Sequence, residues 1–299
     1  MIQIFYAASK TLGRGHEIRC YGLCSTLECK NLAVSITQVS PPATADEIQR
    51  LLSPTTRLVV VDIPNAEDSV IEALKRSNLL IVTLDWFGNA FHDISIAVIS
   101  HGKTATAKEQ YLGLEYSIIR KRVTICRKSG INPDPETALV VIGSGDVKNK
   151  SESVSLKLRD LGYRITLALG PNAADPGPSL SNTRYFRILR SPADLPELML
   201  QSDLVVTNGG TCMLEAMHLG KPVIAVPQSL EENSLAQLCW SYHAILGVGD
   251  TAIIRHDRRV LRTTSIQAER LIDGLGLDRV ADIICNALRF PYEERKSDE

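Results

Sequence analysis

The sequence predicts a mixed α/β protein of two doubly wound domains, each a parallel sheet covered by helices on both faces. Three observations carry this. Short, continuously apolar runs alternate with helical patterns along most of the chain, as expected for strands buried on both faces. A charged stretch with Gly130, Pro133 and Pro135, residues 121–136, interrupts the alternation, which then restarts. The length of 299 residues suits two domains of ordinary size.

In the first half, apolar runs place strands at 2–7, 33–38, 58–62, 79–84 and 94–99. Between them fall helices at 16–29, 44–52 and 67–76, the first with Ile18, Leu23 and Leu27 at roughly helical spacing. The second half repeats the scheme. Strands are expected at 138–142, 163–169, 204–207 and 223–226, and helices at 150–161, 211–219, 233–243 and 265–289, with a polar Pro/Gly/Ser loop at 171–182. The domains are therefore 1–120 and 137–290, joined by a linker at 121–136 and followed by a polar tail at 291–299. Two Rossmann-like units of this kind face a cleft, and a ligand belongs where the carboxyl ends of their strands meet.

Composition narrows the function. With 33 basic against 34 acidic residues, the chain lacks the electrostatic footprint of a protein that binds duplex nucleic acid or an anionic membrane. No apolar run approaches the length of a membrane span, so a cytoplasmic protein is expected. The seven cysteines, at 20, 24, 29, 126, 212, 239 and 285, are odd in number and scattered. They read as reduced thiols, because no CxxC pair or zinc-type Cys/His spacing is present. Neither a metal site nor a cofactor is expected.

The most informative motif is Gly13-Arg14-Gly15-His16, with Arg19 one helical turn further on. It lies between the first strand and the first helix. Glycines there permit close approach of a ligand, free amides at a helix start attract anions, and His16 is able to exchange protons near neutral pH. Three loops of the second half have the same character. Gly143-Ser144-Gly145-Asp146 follows the strand at 138–142, Asn208-Gly209-Gly210-Thr211 follows that at 204–207, and Pro227-Gln228 leads to Glu231-Glu232-Asn233. Glycine-rich turns at successive strand ends are where phosphate oxygens meet backbone amides in doubly wound folds.

These residues carry a resemblance. The run from Ser202 through Asn208-Gly209-Gly210-Thr211 to Glu215-Ala216, then Leu219-Gly220-Lys221-Pro222, resembles the nucleotide-sugar signature of GT-B glycosyltransferases of the MurG type. That resemblance implies that Gly209, Gly210 and Thr211 face a diphosphate and that Glu215 holds the ribose hydroxyls. The segment Gly13-Arg14-Gly15-His16-Glu17-Ile18-Arg19 is similar to the GxGHxxR signature of the PseG/SpsG family, the UDP-sugar hydrolases of pseudaminic acid biosynthesis and their spore-coat relatives. Further matches run from about residue 2 to residue 245: Leu58 to Asp62, Val82 to Asp85, His92-Asp93-Ile94, Gly113 to Arg120, and Gly143 to Asn149.

Three departures bear on the substrate. An aspartate-x-tyrosine arrangement of the family reads Asp62-Ile63-Pro64, the second aspartate of an Asp-Asp pair is Trp86, and an Asn-Gln pair is Asn233-Ser234. By the resemblance these positions contact sugar or base. The implied reaction is cleavage of a nucleotide sugar, with UDP as the expected nucleotide, between C1 and the diphosphate. His16 is the general base. Gly13, Gly15, Arg19, Asp62, Asp85, Gly143, Ser144, Gly145, Asp146 and Asn233 are further substrate-binding candidates, with Asp62 and Asp85 orienting or polarising. A glycosyltransferase using the same donor and a non-catalytic nucleotide-sugar binder are the alternatives. A dinucleotide oxidoreductase is a weaker one, because the first turn lacks GxGxxG.

Overall fold

A computed structural model describes residues 1–8, 14–100, 102–104, 106–126, 130–142, 146, 148–180 and 184–289. The chain divides into two compact units, Met1–Ile118 with the segment from Leu275 onward, and Ile119–Gly274.

The first unit contains β1 (Ile2–Ala7), α1 (Gly15–Cys29), β2 (Val34–Val39), α2 (Ala45–Leu51), β3 (Leu58–Asp62), α3 (Asp68–Arg76), β4 (Leu80–Leu84), β5 (His92–Ala97) and β6 (Ala107–Leu112). All six strands are parallel, in the order β2-β1-β3-β4-β5-β6. Side chains alternate across the sheet. Ile2, Ile4, Tyr6, Leu58, Val60 and Val82 pack with Cys20, Leu23 and Leu27 of α1. Phe5, Ala7, Val59, Val61 and Ile81 point the other way, onto Ile48 of α2 and Val70, Ile71 and Leu74 of α3. Both faces are covered, which is why these strands read as unbroken apolar runs.

The second unit contains α4 (Lys121–Thr124), β7 (Thr137–Val141), α5 (Lys150–Asp160), β8 (Arg164–Leu169), β9 (Phe186–Arg190), α6 (Leu195–Gln201), β10 (Leu204–Thr207), α7 (Thr211–His218), β11 (Val223–Ala225), α8 (Leu230–Ser241), β12 (Gly247–Val248) and α9 (Arg258–Leu271). Its parallel sheet runs β12-β11-β10-β7-β8-β9. Its core joins Ala138, Val140 and Ile142 to Ile165, Leu167, Leu204, Val206 and Ile224, with Val154 and Leu158 of α5 and Leu261 of α9. In each sheet the strand order reverses once, at β1/β3 and at β7/β10. At such a reversal neighbouring loops leave toward opposite faces and open a crevice at the carboxyl ends of the strands.

Several elements differ from the sequence reading. The helix expected at 265–289 is two helices, α9 and α10 (Gly276–Arg289), parted by residues 272–275, where the chain leaves helical geometry at Ile272 and Gly274 takes a φ of +87°. Leu277, Val280, Ala281 and Ile284 of α10 pack with Ile2, Ile4 and Leu23, so this helix joins the first unit rather than the domain expected to run to residue 290. Strands β6 and β9 and helix α6 were not expected. Both strands are sheet edges with mostly exposed side chains and lack the apolar pattern of a central strand. The expected linker begins with α4, and its end is tied to the second unit. Asp203 accepts from Asn132 Nδ2 (3.1 Å), Glu136 N (3.0 Å), Thr137 N (2.9 Å) and Thr137 Oγ1 (2.8 Å). Among the described residues no helix is long and apolar enough to cross a membrane.

Candidate active site

The β1/β3 reversal gathers His16, Arg19, Asp62 and Asp85. Asp62 ends β3, where it is paired with Tyr6 of β1, and is fully buried; His16 and Arg19 lie on the first turn and a half of α1, so both reach that strand end. His16 Nδ1 lies 2.8 Å from Asp62 Oδ1. The Arg19 guanidinium forks onto Asp62, with Nε to Oδ2 at 2.7 Å and a second nitrogen to Oδ1, and donates through its third nitrogen to Asp85 Oδ2 at 2.5 Å. Cys20 Sγ also donates to Asp62 Oδ2, at 3.1 Å.

The protonation states follow from this geometry. Burial alone would raise the Asp62 carboxyl, but the Arg19 guanidinium and His16 beside it hold it well below the usual carboxylate range. His16 Nδ1 faces both the Asp62 carboxylate at 2.8 Å, which only accepts, and an Arg19 nitrogen at 3.2 Å, which only donates; the shorter contact to Asp62 favours the proton on Nδ1 and the lone pair on Nε2. Arg19 is itself held charged; burial disfavours that, and Asp62 and Asp85 outweigh it. With His16 neutral, the cluster has one guanidinium against two carboxylates. Asp62 thus orients the imidazole, as a buried aspartate does in hydrolytic triads.

This arrangement gives Arg19 and Asp85 partners within the protein. Each of the three Arg19 nitrogens contacts an aspartate, and one of them also lies 3.2 Å from His16 Nδ1, so Arg19 holds the Asp62 carboxylate beside His16. Asp85 is half-buried, and both its oxygens have partners: Oδ2 takes Arg19 and Oδ1 accepts from Val98 N at 2.9 Å. Trp86, expected at the sugar or base, is buried in the core with its indole N–H on Ala66 O (2.8 Å) and its ring edge-on to His92. His92 is structural too, between Thr83 Oγ1 and Ala90 O. Gly15 opens α1; Gly13 lies outside the described residues.

At the β7/β10 reversal the two helix starts differ. Asp146 places Oδ1 on Lys150 N and Oδ2 on Ser151 N, both at 2.8 Å, so the α5 terminus already has its anion. Asp146 is a helix cap. Gly143, Ser144 and Gly145 lie outside the described residues. The start of α7 has no such partner, since its cap, Gly210, carries no side chain. Gly209 serves packing, because a Cβ there would lie 2.1 Å from the Glu232 carbonyl oxygen. Thr211 is the first, half-buried residue of α7, and Asn233 is half-buried on the second turn of α8.

One hydrogen-bonded network ties the loops after β7, β10 and β11. Glu232 accepts from Asn208 Nδ2 and from Gln228 N (2.7 Å), while Gln228 Oε1 accepts from Lys148 N (3.0 Å). Sequence reasoning did not single out Gln228 or Glu232 as site residues. The available signal was Ser229-x-x-Glu232, a capping-box pattern, although here Glu232 turns to Gln228 N. It also gave no site role to Arg120. Glu215 is 1% exposed, and its carboxylate is held by a bidentate Arg120 fork, with Nε to Oε1 at 2.6 Å and the second nitrogen on Oε2. Among the described residues no group of three His, Cys, Asp or Glu side chains is placed to hold a metal ion.

No family model matches the chain. An uncharacterised protein of Methanocaldococcus jannaschii is 28% identical over 142 residues, which cover 44% of this chain and only 28% of that protein's length. Solved structures agree over nearly the whole chain. Acinetobacter baumannii MurG has a TM-score of 0.66 at 12% identity, covering 95% of this chain and 99% of its own. The S. aureus MnaA–UDP structure reaches 0.64 at 13% identity, covering 96% of each chain. CalG4, the calicheamicin glycosyltransferase, reaches 0.57 at 13% identity, covering 96% of this chain and 98% of its own. The two six-stranded parallel units thus have the GT-B fold of these proteins.

Proposed function

We propose that the protein transfers a sugar from a nucleoside diphosphate donor to an acceptor hydroxyl, with His16 as general base. The observation that carries this reading is the His16–Asp62 pair at the β1/β3 reversal, whose chemistry leaves a lone pair on Nε2. Nε2 takes the acceptor proton as the acceptor oxygen bonds to C1. The C1 bond to the diphosphate breaks, and its electron pair leaves with the nucleotide. The second unit suits the leaving group, because the uncapped α7 terminus presents amides and a positive dipole end to a diphosphate. Glu215, one turn along the same helix, takes the ribose hydroxyls in this reading. Thr211 and Asn208 flank the diphosphate, and Asn233 lies near the base or sugar.

A glycosyltransferase is favoured over a hydrolase because CalG4, which shares the fold, is named as one; the MnaA–UDP structure makes UDP the first nucleotide to test. The same base would serve water as acceptor, the hydrolytic outcome implied by the GxGH resemblance. A purely binding protein has no need of a buried aspartate and arginine locked around a histidine. Seven free cysteines fit a reducing, cytoplasmic setting. Incubation with UDP-, CDP- and GDP-sugars, with and without sugar acceptors, tests the proposal. Acceptor-dependent nucleotide release is the expected result; release at equal rate without acceptor selects hydrolysis, and no release from any donor rejects the reading.

A further inference from the structure

We propose that Arg120 is a positioning residue for nucleotide recognition, its guanidinium fixing the plane and charge of the Glu215 carboxylate that reads the ribose diol. The inference rests on the ribose role given to Glu215 above. Burying a carboxylate is costly unless it is paired, and among the described residues Arg120 is the sole hydrogen-bonding partner of the Glu215 carboxylate, which is 1% exposed. The pairing is planar. The fork uses one acceptor position on each oxygen, so the orientation of Arg120 sets that of the carboxylate. Arg120 is itself fixed by its neighbours: Ile119 is 2% exposed and Val123 fully buried, and Arg120 caps α4 in an extended conformation.

What the fork leaves over matches a diol. A carboxylate offers about four acceptor positions. With one on each oxygen taken by the guanidinium, the second position of Oε2 has no partner among the described residues and that of Oε1 meets only the Arg120 backbone amide at 3.5 Å, a weak contact, so two adjacent hydroxyls would take these two positions. Glu215 also stands four residues after Thr211, a rise of about 6 Å along α7, comparable to the span of one pentose from a 5′ phosphate to its 2′ and 3′ hydroxyls. The ion pair is therefore a fixed, buried part of the recognition site and persists with nucleotide bound. Arg120 contributes to discrimination between ribose and deoxyribose without contacting the sugar.

Calorimetry with UDP and 2′-deoxy-UDP on the full chain tests this in wild type, Arg120→Lys and Arg120→Ala, with melting temperature recorded for each. Wild type should prefer UDP by about 10-fold or more, the range for a hydrogen bond to a charged group. In Arg120→Ala the preference should fall below about 3-fold. Should that variant not fold, Arg120→Lys keeps a cation but not the fork, and should lose most of the preference at a melting temperature near wild type. A preference unchanged in a folded Arg120 variant, or tighter UDP binding on removal of the guanidinium, would overturn the inference while leaving the functional reading intact. Equal affinity of wild type for the two nucleotides removes the ribose role on which the inference rests. Binding of neither nucleotide by wild type rejects the functional reading itself.

Discussion

The two strand-order reversals solve different problems with similar backbones. At β1/β3 the chain concentrates charge: two aspartates and an arginine surround one histidine, and Asp62 is buried among them. At β7/β10 it concentrates geometry: the α7 start is uncapped, Gly209 admits a backbone carbonyl, and Glu232 links neighbouring loops. In the proposed function, the first arrangement serves a proton acceptor and the second receives a flexible anion. The lesson is that a shared α/β topology supplies a location, while the side chains at the strand ends decide between chemistry and binding.

The largest expected effect comes from weakening the charged end. Asp62→Asn leaves Arg19 with half its compensation and permits the wrong His16 tautomer. Turnover should fall by about 10²- to 10⁴-fold. The double variant with His16→Ala should be scarcely slower than either single one, because the two residues act as a unit. Multiplicative losses in that cycle would separate Asp62 from the base. The same variant should lose stability, by about 3 kcal/mol if the buried ion pair behaves as others do, which urea unfolding at neutral pH measures.

At the binding end the effects are smaller and of another kind. Glu215→Ala should weaken UDP binding by about 1.5 to 3 kcal/mol through the lost charge-assisted hydrogen bonds. Turnover at saturating donor should change little, so a drop in kcat with KM unchanged would erase the proposed contrast. Gly209→Ala forces the Glu232 carbonyl aside and should destabilise the protein by about 1 to 3 kcal/mol, the usual range for overpacking. Thermal melting reads that change.

The pH dependence of stability sharpens the comparison further. The Asp62 carboxyl is depressed in the folded state, so its contribution is complete above the unfolded carboxylate range near pH 4. It is lost as pH falls through the folded value. Wild type should therefore lose stability below about pH 4 more steeply than Asp62→Asn. Parallel acid limbs in urea titrations of the two proteins would contradict the buried ionised state.

Legibility of the fold followed burial. Central strands such as Leu58–Asp62 and Leu204–Thr207 were readable because both faces are covered and every residue is apolar or terminal. Edge strands β6 and β9 were not, because Ala107–Leu112 and Phe186–Arg190 expose alternate and adjacent side chains and carry charge. The break between α9 and α10 had a visible signal in Gly274, but the partner of α10 did not, since packing against α1 depends on a return of the chain that no local pattern encodes. In the site, residue types and places in the fold were legible for Asp62 at the end of β3, His16 at the start of α1 and Glu215 on α7. What each touches was not: Arg19 and Asp85 found partners within the protein, Asp146 capped its own helix, and Arg120 met Glu215 from 95 residues away.

The central claim is that proton transfer belongs to one reversal and nucleotide binding to the other. His16→Ala tests it most directly, by single-turnover rate and UDP calorimetry on the same preparation once a donor is known. The account predicts a rate lower by about 10²- to 10⁴-fold with UDP affinity unchanged. A normal rate, or a matching loss of UDP affinity, would contradict it.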